Sequence, residues 1–455
     1  MRSLGLTLHN RQFVISKQEV CPGPDWAYVD IAPSFKLSYQ TNLRLTHTKG
    51  TITLGHQLGE YSGRFVKIEW PYLYTDAAAM LAVYYGADPS SAAISSSPAL
   101  LAKALKLPIS ARQLRWGGMS WFPHCRVQGA RRLFRDQRLH IPTLTVERRP
   151  EQALTAWPSV EAARLALATD LTNTAHDLAR RSNKIYVSLT AGLDSRTVFA
   201  AFLSAGIKFD AYTSDIRGVI NPRDPQIARQ ICRTIGVKHK IVRMQPRRDD
   251  LAHTVKEHTI DSCCDAHDSY YLPCNGFRFL ESGDAVVFGG VFGFERHYFE
   301  AQLAGLNFEN ATGTILWPRL DNEAVHSSTA ADLDDWLAWR RCNSNGLDLV
   351  RSFCLDQKVG GWSAAIQQGL DLLPGISIHP ANSPRCLNAL ITPDRKERIE
   401  RRLQRETIFF LEPKLLRFPI NPPPSKTALD YGRRLAPTWL KQMLRPIKQR
   451  LSAYQ

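Results

Sequence analysis

The chain has 455 residues, 44% of them hydrophobic and 22% charged, and carries a formal net charge of +16. Ordinary globular composition at this length calls for two or three domains and excludes a disordered or fibrous chain. No apolar run approaches the ~18–20 residues of a membrane helix; the longest, Ala77 to Ala87, reads as core, and no secretory signal opens the sequence. The nine cysteines are scattered, which fits a reducing cytoplasm better than a disulfide framework. The cluster Cys263, Cys264, His267 and Cys274 lacks the second ligand pair of a zinc site and reads as ordinary thiols near a histidine. The basic surplus would suit a polyanionic partner. Its arginines, however, are spread along the chain without the aromatic interleaving of single-strand binders, so nucleic acid is not an expected partner.

In chain order, the first part reads as strands. Leu43 and Leu45 alternate with polar residues, Lys49-Gly50 turns the chain, and Ile52 and Leu54 resume the alternation. Val66, Ile68 and Trp70 share one face of a further strand. Ser97-Pro98 pairs a capping hydroxyl with proline at the first helical position. The stretch from His140 to Trp157, with Pro142, Pro150 and Pro158 around it, reads as a linker. From Ser159 the period becomes helical, with Val160, Leu167, Leu171 and Leu178 on one stripe. Ile185-Tyr186-Val187 is a strand, and a Gly-containing turn leads into an apolar helix with Val198, Phe199 and Phe202, stopped by Gly206. A strand over residues 207–213, a helix over 226–234 and a strand over 240–244 follow. Such alternation predicts a parallel sheet with crossover helices. The rest, to about Phe418, reads as mostly helical. In the tail, Leu440, Leu444, Ile447 and Leu451 form a short stripe among basic residues, broken by Pro446; it reads as a terminal helix with a solvated basic face, with docking on an acidic membrane or partner surface as the alternative.

The stretch that carries chemistry is Ser188-Leu189-Thr190-Ala191-Gly192-Leu193-Asp194-Ser195. Lying between a strand and a helix, it offers free amides at a helix start as an anion cradle. The hydroxyls of Ser188, Thr190 and Ser195 add donors, and Asp194 is placed to hold Mg²⁺ that bridges phosphates. There is no Walker lysine and no G-x-G-x-x-G.

Thr190 to Ser195 reads T-A-G-L-D-S and resembles the S-G-G-x-D-S pyrophosphate loop of the asparagine-synthetase-type ATP pyrophosphatases. Asp224, Ala228, Gly236 and His239 resemble that family's acidic-Ala-Gly-His stretch beside the nucleotide, and Thr213 and Ser214 fall where it contacts adenine. Gly289-Gly290-Val291-Phe292-Gly293-Phe294-Glu295 falls where the family has a second Gly-rich acidic motif; Glu295 aligns with its last acid, and the other two acids fall on Val291 and Phe294. Ile378-His379-Pro380-Ala381-Asn382 resembles the late segment that lines the acceptor side, with Asn382 in place of the usual acid. Gly63-Arg64-Phe65-Val66, Tyr74-Thr75-Asp76, Val83-Tyr84-Tyr85 and Ile94 to Ser97 follow the strand order of the family's glutaminase domain.

The resemblance implies an α/β protein with three parts. An Ntn-hydrolase-like, β-rich domain spans 1–150, a parallel-sheet ATP pyrophosphatase domain with a helical carboxy-terminal part spans 159–420, and a basic tail spans 421–455. It implies Asp194 and Glu295 as catalytic acids, with Asp194 as the metal ligand. It also implies nucleotide contacts from Ser188, Leu189, Thr190, Ala191, Gly192, Leu193, Ser195, Thr213, Ser214, Gly289 and Gly290. ATP and Mg²⁺ are the implied cofactors. The implied reaction is attack of a substrate carboxylate on the α-phosphorus of ATP, followed by capture of the acyl-adenylate by an amine. The glutaminase needs a cysteine at position 2, and Arg2 stands there. The amine is therefore expected within the substrate, as in the β-lactam synthetases and lasso-peptide macrocyclases, with free ammonia as the alternative, and a peptide substrate suits a basic surface. A non-catalytic nucleotide-binding member and a tRNA-modifying ATP pyrophosphatase are the alternatives.

Overall fold

The computed structural model describes residues 11–17, 25–59, 62–88, 91–109, 123–125, 127–215, 223–243, 276–295, 299–320, 327–344 and 346–423. The cysteine-histidine cluster at 263–274 and the basic stripe at 440–451 lie outside the described residues. Twelve short strands come first: β1 (Phe13–Ser16), β2 (Trp26–Ala32), β3 (Phe35–Gln40), β4 (Leu45–Thr48), β5 (Thr51–Leu58), β6 (Ser62–Glu69), β7 (Tyr72–Thr75), β8 (Tyr84–Ala87), β9 (Ala92–Ser95), β10 (Arg131–Arg132), β11 (Gln137–His140) and β12 (Thr145–Arg148). They form two antiparallel sheets, ordered β10-β8-β9-β1-β3-β2 and β12-β11-β7-β6-β5-β4. The alternating residues named by the sequence face inward. Phe13, Ile15 and Leu37 of one sheet share a core with Leu54, Val66, Ile68 and Leu139 of the other. Burying each such side chain is worth roughly 1.5–3 kcal/mol, enough to close the sandwich without help from disulfides. Helix α1 (Pro98–Leu105) starts as its cap predicts, with the Ser97 hydroxyl accepting from the Leu100 amide.

Two expectations need correction. Trp70 is not on the strand face with Val66 and Ile68: β6 stops at Glu69, and Trp70 is 43% exposed in the turn to β7. The supposed linker contains β12, paired along its length with β11. Its Thr-Val-Glu-Arg sequence is an edge strand that buries little, so its hydrophobic signal is weak.

The second architecture is a five-stranded parallel sheet of β13 (Ile185–Ser188), β14 (Asp210–Asp215), β15 (His239–Arg243), β16 (Ala285–Val287) and β17 (Ile376–Ile378), ordered β15-β14-β13-β16-β17. Helices α2 (Val160–Arg181), α3 (Leu193–Ser204) and α4 (Asp224–Ile235) accompany it, and the remaining described chain is mostly helical. The protein is thus of mixed α/β class: antiparallel sheets first, then a parallel sheet with helices, then a helical carboxy-terminal region. One continuous core joins Leu167, Leu171 and Leu178 of α2, Val198, Phe199 and Phe202 of α3, and Leu58, Met80 and Phe134 of the sandwich. The two architectures are therefore fused through shared apolar contact. No described helix is long and apolar enough to cross a membrane.

Buried charge fastens the same junction. Arg340 makes 2.6 Å ion pairs with both Asp136, after the β10 turn, and Asp356, in a π-helical segment, and Trp336 donates to Asp356 at 2.8 Å. Removing the guanidinium strands two buried carboxylates, which is far costlier than losing a surface pair. Arg340→Met should therefore cost about 3 kcal/mol of unfolding free energy in urea titrations. A loss below about 1 kcal/mol would mean that these carboxylates are solvated in the folded protein.

Candidate active site

The parallel sheet reverses strand order at its centre. From β13 the chain moves outward through β14 and β15, then returns to the other flank with β16 and β17. Ligands bind doubly wound sheets in the crevice beyond the strand ends at such a switch point. The segments leaving β13 and β16 there are Leu189–Gly192 and Phe288–Gly290, the two stretches singled out by sequence.

The loop after β13 is held by its own hydroxyls. The Thr190 amide donates to Ser195 Oγ at 3.0 Å, the two hydroxyls lie 2.9 Å apart, and the Gly192 amide donates to Thr190 Oγ1 at 3.0 Å. The Ala191 amide donates to Asp224 Oδ1 at 3.0 Å, which brings in the start of α4. Leu189, Ala191 and Leu193 turn their side chains into the core, so they can offer a ligand only backbone groups. The backbone of Ala191 avoids the left-handed region, which explains why alanine is tolerated there. Helix α3 begins at Gly192 with no side-chain cap, leaving first-turn amides directed at the crevice.

Thr213 and Ser214 sit on opposite faces of β14. Thr213 is buried; its hydroxyl donates to Leu189 O at 2.6 Å and lies 2.8 Å from His239 Nε2. It braces the loop. Ser214 is half-buried. The Ser188 hydroxyl bonds the buried Tyr212 phenol.

Gly289 and Gly290 make close backbone approaches. A Cβ on Gly289 would fall 3.0 Å from the Ser195 amide nitrogen, and one on Gly290 would fall 2.7 Å from His379 Cε1. The turn after β16 thus lies directly on the start of α3, with His379 at its back. The imidazole stacks on Phe288 at 5.4 Å, is buried, and has no hydrogen-bond partner for either nitrogen. Burial, aided by the Arg64 charge, lowers its pKa to about 3, so the ring is neutral near pH 7.

The structure brings Asp194 and Glu295 together through residues that sequence reasoning did not select. Arg401 forms an ion pair with Asp194 Oδ1, and Gln404 Nε2 donates to Glu295 Oε2. Both acids are buried, and Glu295 Oε1 has no partner. Burial pushes the Glu295 pKa up to about 8; Asp194 adds to the rise, while Arg401 and Gln404 oppose it. Arg401 holds a left-handed backbone at φ 57°, which costs a non-glycine residue roughly 1–2 kcal/mol. Nothing in its arginine-rich surroundings marks it in the sequence.

The carboxy-terminal strap closes the loop's far side. The fully buried Arg196 of α3 donates to the carbonyls of Ala191, Leu415, Phe418 and Pro419, and the Asn421 amide donates to Ala191 O at 3.2 Å. The segment from Ile378 to Asn382 is stitched to the sandwich. Asn382 Nδ2 donates to Gly63 O at 2.5 Å and Asp76 Oδ1 at 2.9 Å, and Arg64 clamps Asp371 at 2.5 and 2.8 Å.

Asp194 and Glu295 fit a magnesium ion on donor chemistry, since Asp194 stands at the loop that would hold phosphates and Glu295, a second buried acid, keeps one oxygen without a partner and would give up its proton on binding the ion. No group of three or more His, Cys, Asp or Glu residues able to hold a metal occurs among the described residues. An ion here would take its remaining ligands from phosphate and water.

No family model matches the chain, and no curated protein matches it. A solved structure similar to it is that of NMN synthetase from Francisella tularensis. The likeness has 10% identity over 47% of this chain and 93% of that one, with a TM-score of 0.21. At that level it carries no argument about activity.

Proposed function

We propose that the protein is an ATP-dependent carbon–nitrogen ligase that forms an amide through an acyl-adenylate, without hydrolysing glutamine. The supporting observation is the T-A-G-L-D-S loop at the switch point of the parallel sheet, with Gly289 against it and two buried acids beside it. The first-turn amides of α3 and the hydroxyls of Thr190 and Ser195 would bind the departing pyrophosphate. Mg²⁺ held by Asp194 and Glu295 would neutralise phosphate charge. Catalysis of this kind rests on positioning and charge stabilisation more than on covalent chemistry. The carboxylate would enter from the side of Gly290 and His379, where Asn382 is locked by the sandwich. In this reading the sandwich serves as a rigid wall, and the amine belongs to the acceptor substrate, a peptide being the favoured class.

ATP–pyrophosphate exchange with a panel of amino acids and carboxylate-bearing peptides tests the reading. One or more acids should support exchange, and glutamate release from glutamine should stay at background. ATP binding without exchange for any acid would favour the non-catalytic reading, to which the internal pairing of Asp194 with Arg401 lends support. Glutamate release coupled to ATP use would overturn the assignment of the sandwich.

A further inference from the structure

We propose that Arg401 is a built-in counter-ion for the Asp194–Glu295 pair, one that keeps bare divalent cations out of the site and yields the acids to a metal only when phosphate arrives with it. The proposal rests on the reading of this crevice as an ATP site.

Four observations meet at this side chain. Its guanidinium pairs with Asp194 Oδ1, the residue expected to hold the metal, and its charge also reaches Glu295. A cation therefore already stands at the acids. Second, its Nε is buried without a partner, so the donor fork is not saturated by the protein. Third, Arg401 is the left-handed N-cap of the helix Arg402–Leu411, held by its amide to Arg398 O at 3.0 Å and its carbonyl to the Arg405 amide at 3.1 Å. A strained residue persists only where its surroundings over-determine it. Fourth, Gln404, in the first turn of the same helix, holds Glu295, so one segment of chain engages both acids.

Exchange chemistry gives this arrangement its consequence. A metal ion bound to either oxygen of Asp194 would stand beside the guanidinium and repel it. A bare ion offers the displaced arginine nothing, leaving a part-buried cation uncompensated. A triphosphate offers it the planar, bidentate anion that guanidinium fits well. Metal and nucleotide binding should therefore be strongly coupled, and the coupling should run through Arg401.

The test is titration of the full chain with Mn²⁺ alone, followed by paramagnetic resonance, for wild type, Arg401→Gln, Arg401→Lys and Arg401→Gln/Asp194→Asn. Arg401→Gln should bind Mn²⁺ at least about tenfold tighter than wild type, Arg401→Lys should stay near wild type, and the double variant should lose the gain. With α,β-methylene-ATP present, wild-type affinity for Mn²⁺ should rise at least about tenfold, and Arg401→Gln should lose most of that coupling. Unchanged Mn²⁺ affinity in a folded Arg401→Gln protein would overturn the proposal. Should that variant not fold, Arg401→Asn, which tolerates a left-handed backbone, replaces it in the same titration. If the ATP analogue binds to none of the proteins, the ATP-site reading falls, while the metal titration still decides whether Arg401 excludes the ion.

Discussion

Asp194→Asn should lower ATP-dependent turnover by a factor on the order of 10³ while leaving the fold intact. The substitution keeps the shape and removes one charge. Asp194 sits in the first turn of α3, directly under the Gly289 turn, at the helix start whose uncapped amides would face pyrophosphate. Removing a preorganised charge from such a water-poor site costs far more in the transition state than in the resting protein. Stability should barely change, because two effects oppose each other. The ion pair with Arg401 is lost, but the like charge that helps raise the Glu295 pKa is lost with it, and Arg401 remains close enough to act on Glu295. Exchange assays and thermal melts on the same preparation check both halves. Full exchange activity in Asp194→Asn would remove Asp194 from the mechanism; an unfolded variant would make it a structural residue.

How much of this site the sequence revealed depends on how local each part is. Six contiguous residues, 190–195, carry the loop, and the strand and helix beside them have strong patterns, so the strand-turn-helix is legible. Thr213 is legible as a nearby residue, but its hydroxyl bond back to Leu189 O is a contact that spacing does not show. Strands β16 and β17 have only three residues each, too few for periodicity. The run Ala285-Val286-Val287-Phe288 before Gly289-Gly290 was the available signal. Arg401 and Gln404 reach their acids across 207 and 109 residues of chain. Contacts at that separation leave no trace in spacing, and an arginine among many advertises nothing. Trp70 followed the alternation of β6 but lies just past its last pair, where the turn to β7 begins, and β12 hid as a polar edge strand.

A second large effect should appear on acidification, with His379 as its main source. The ring is buried and without a partner, and its pKa is lowered to about 3 against an unfolded value near 6.5. The sign follows from linkage: a base whose folded pKa is depressed is neutral in the fold but protonates readily once unfolded. Its contribution is therefore complete above pH ~6.5 and is lost as pH falls toward ~3, at about 1.4 kcal/mol per unit. At pH 5 the loss from His379 alone is about 2 kcal/mol. His56 adds to it, since burial and the nearby Arg11, Arg44, Arg64 and Arg181 also lower its pKa to about 3. Glu295 and the buried Asp76 pull the other way, because burial raises their pKa values and acid then favours the fold. The raw pH dependence of the protein mixes these signs, and the informative quantity is a difference between proteins. His379→Leu removes the titrating group while keeping an apolar body against Phe288. Between pH 7.5 and pH 5, its urea unfolding free energy should fall by about 2 kcal/mol less than that of wild type. Parallel curves for the two proteins would show that His379 is protonated equally in the folded and unfolded chain, and would remove the neutral imidazole from the back of the Gly290 turn.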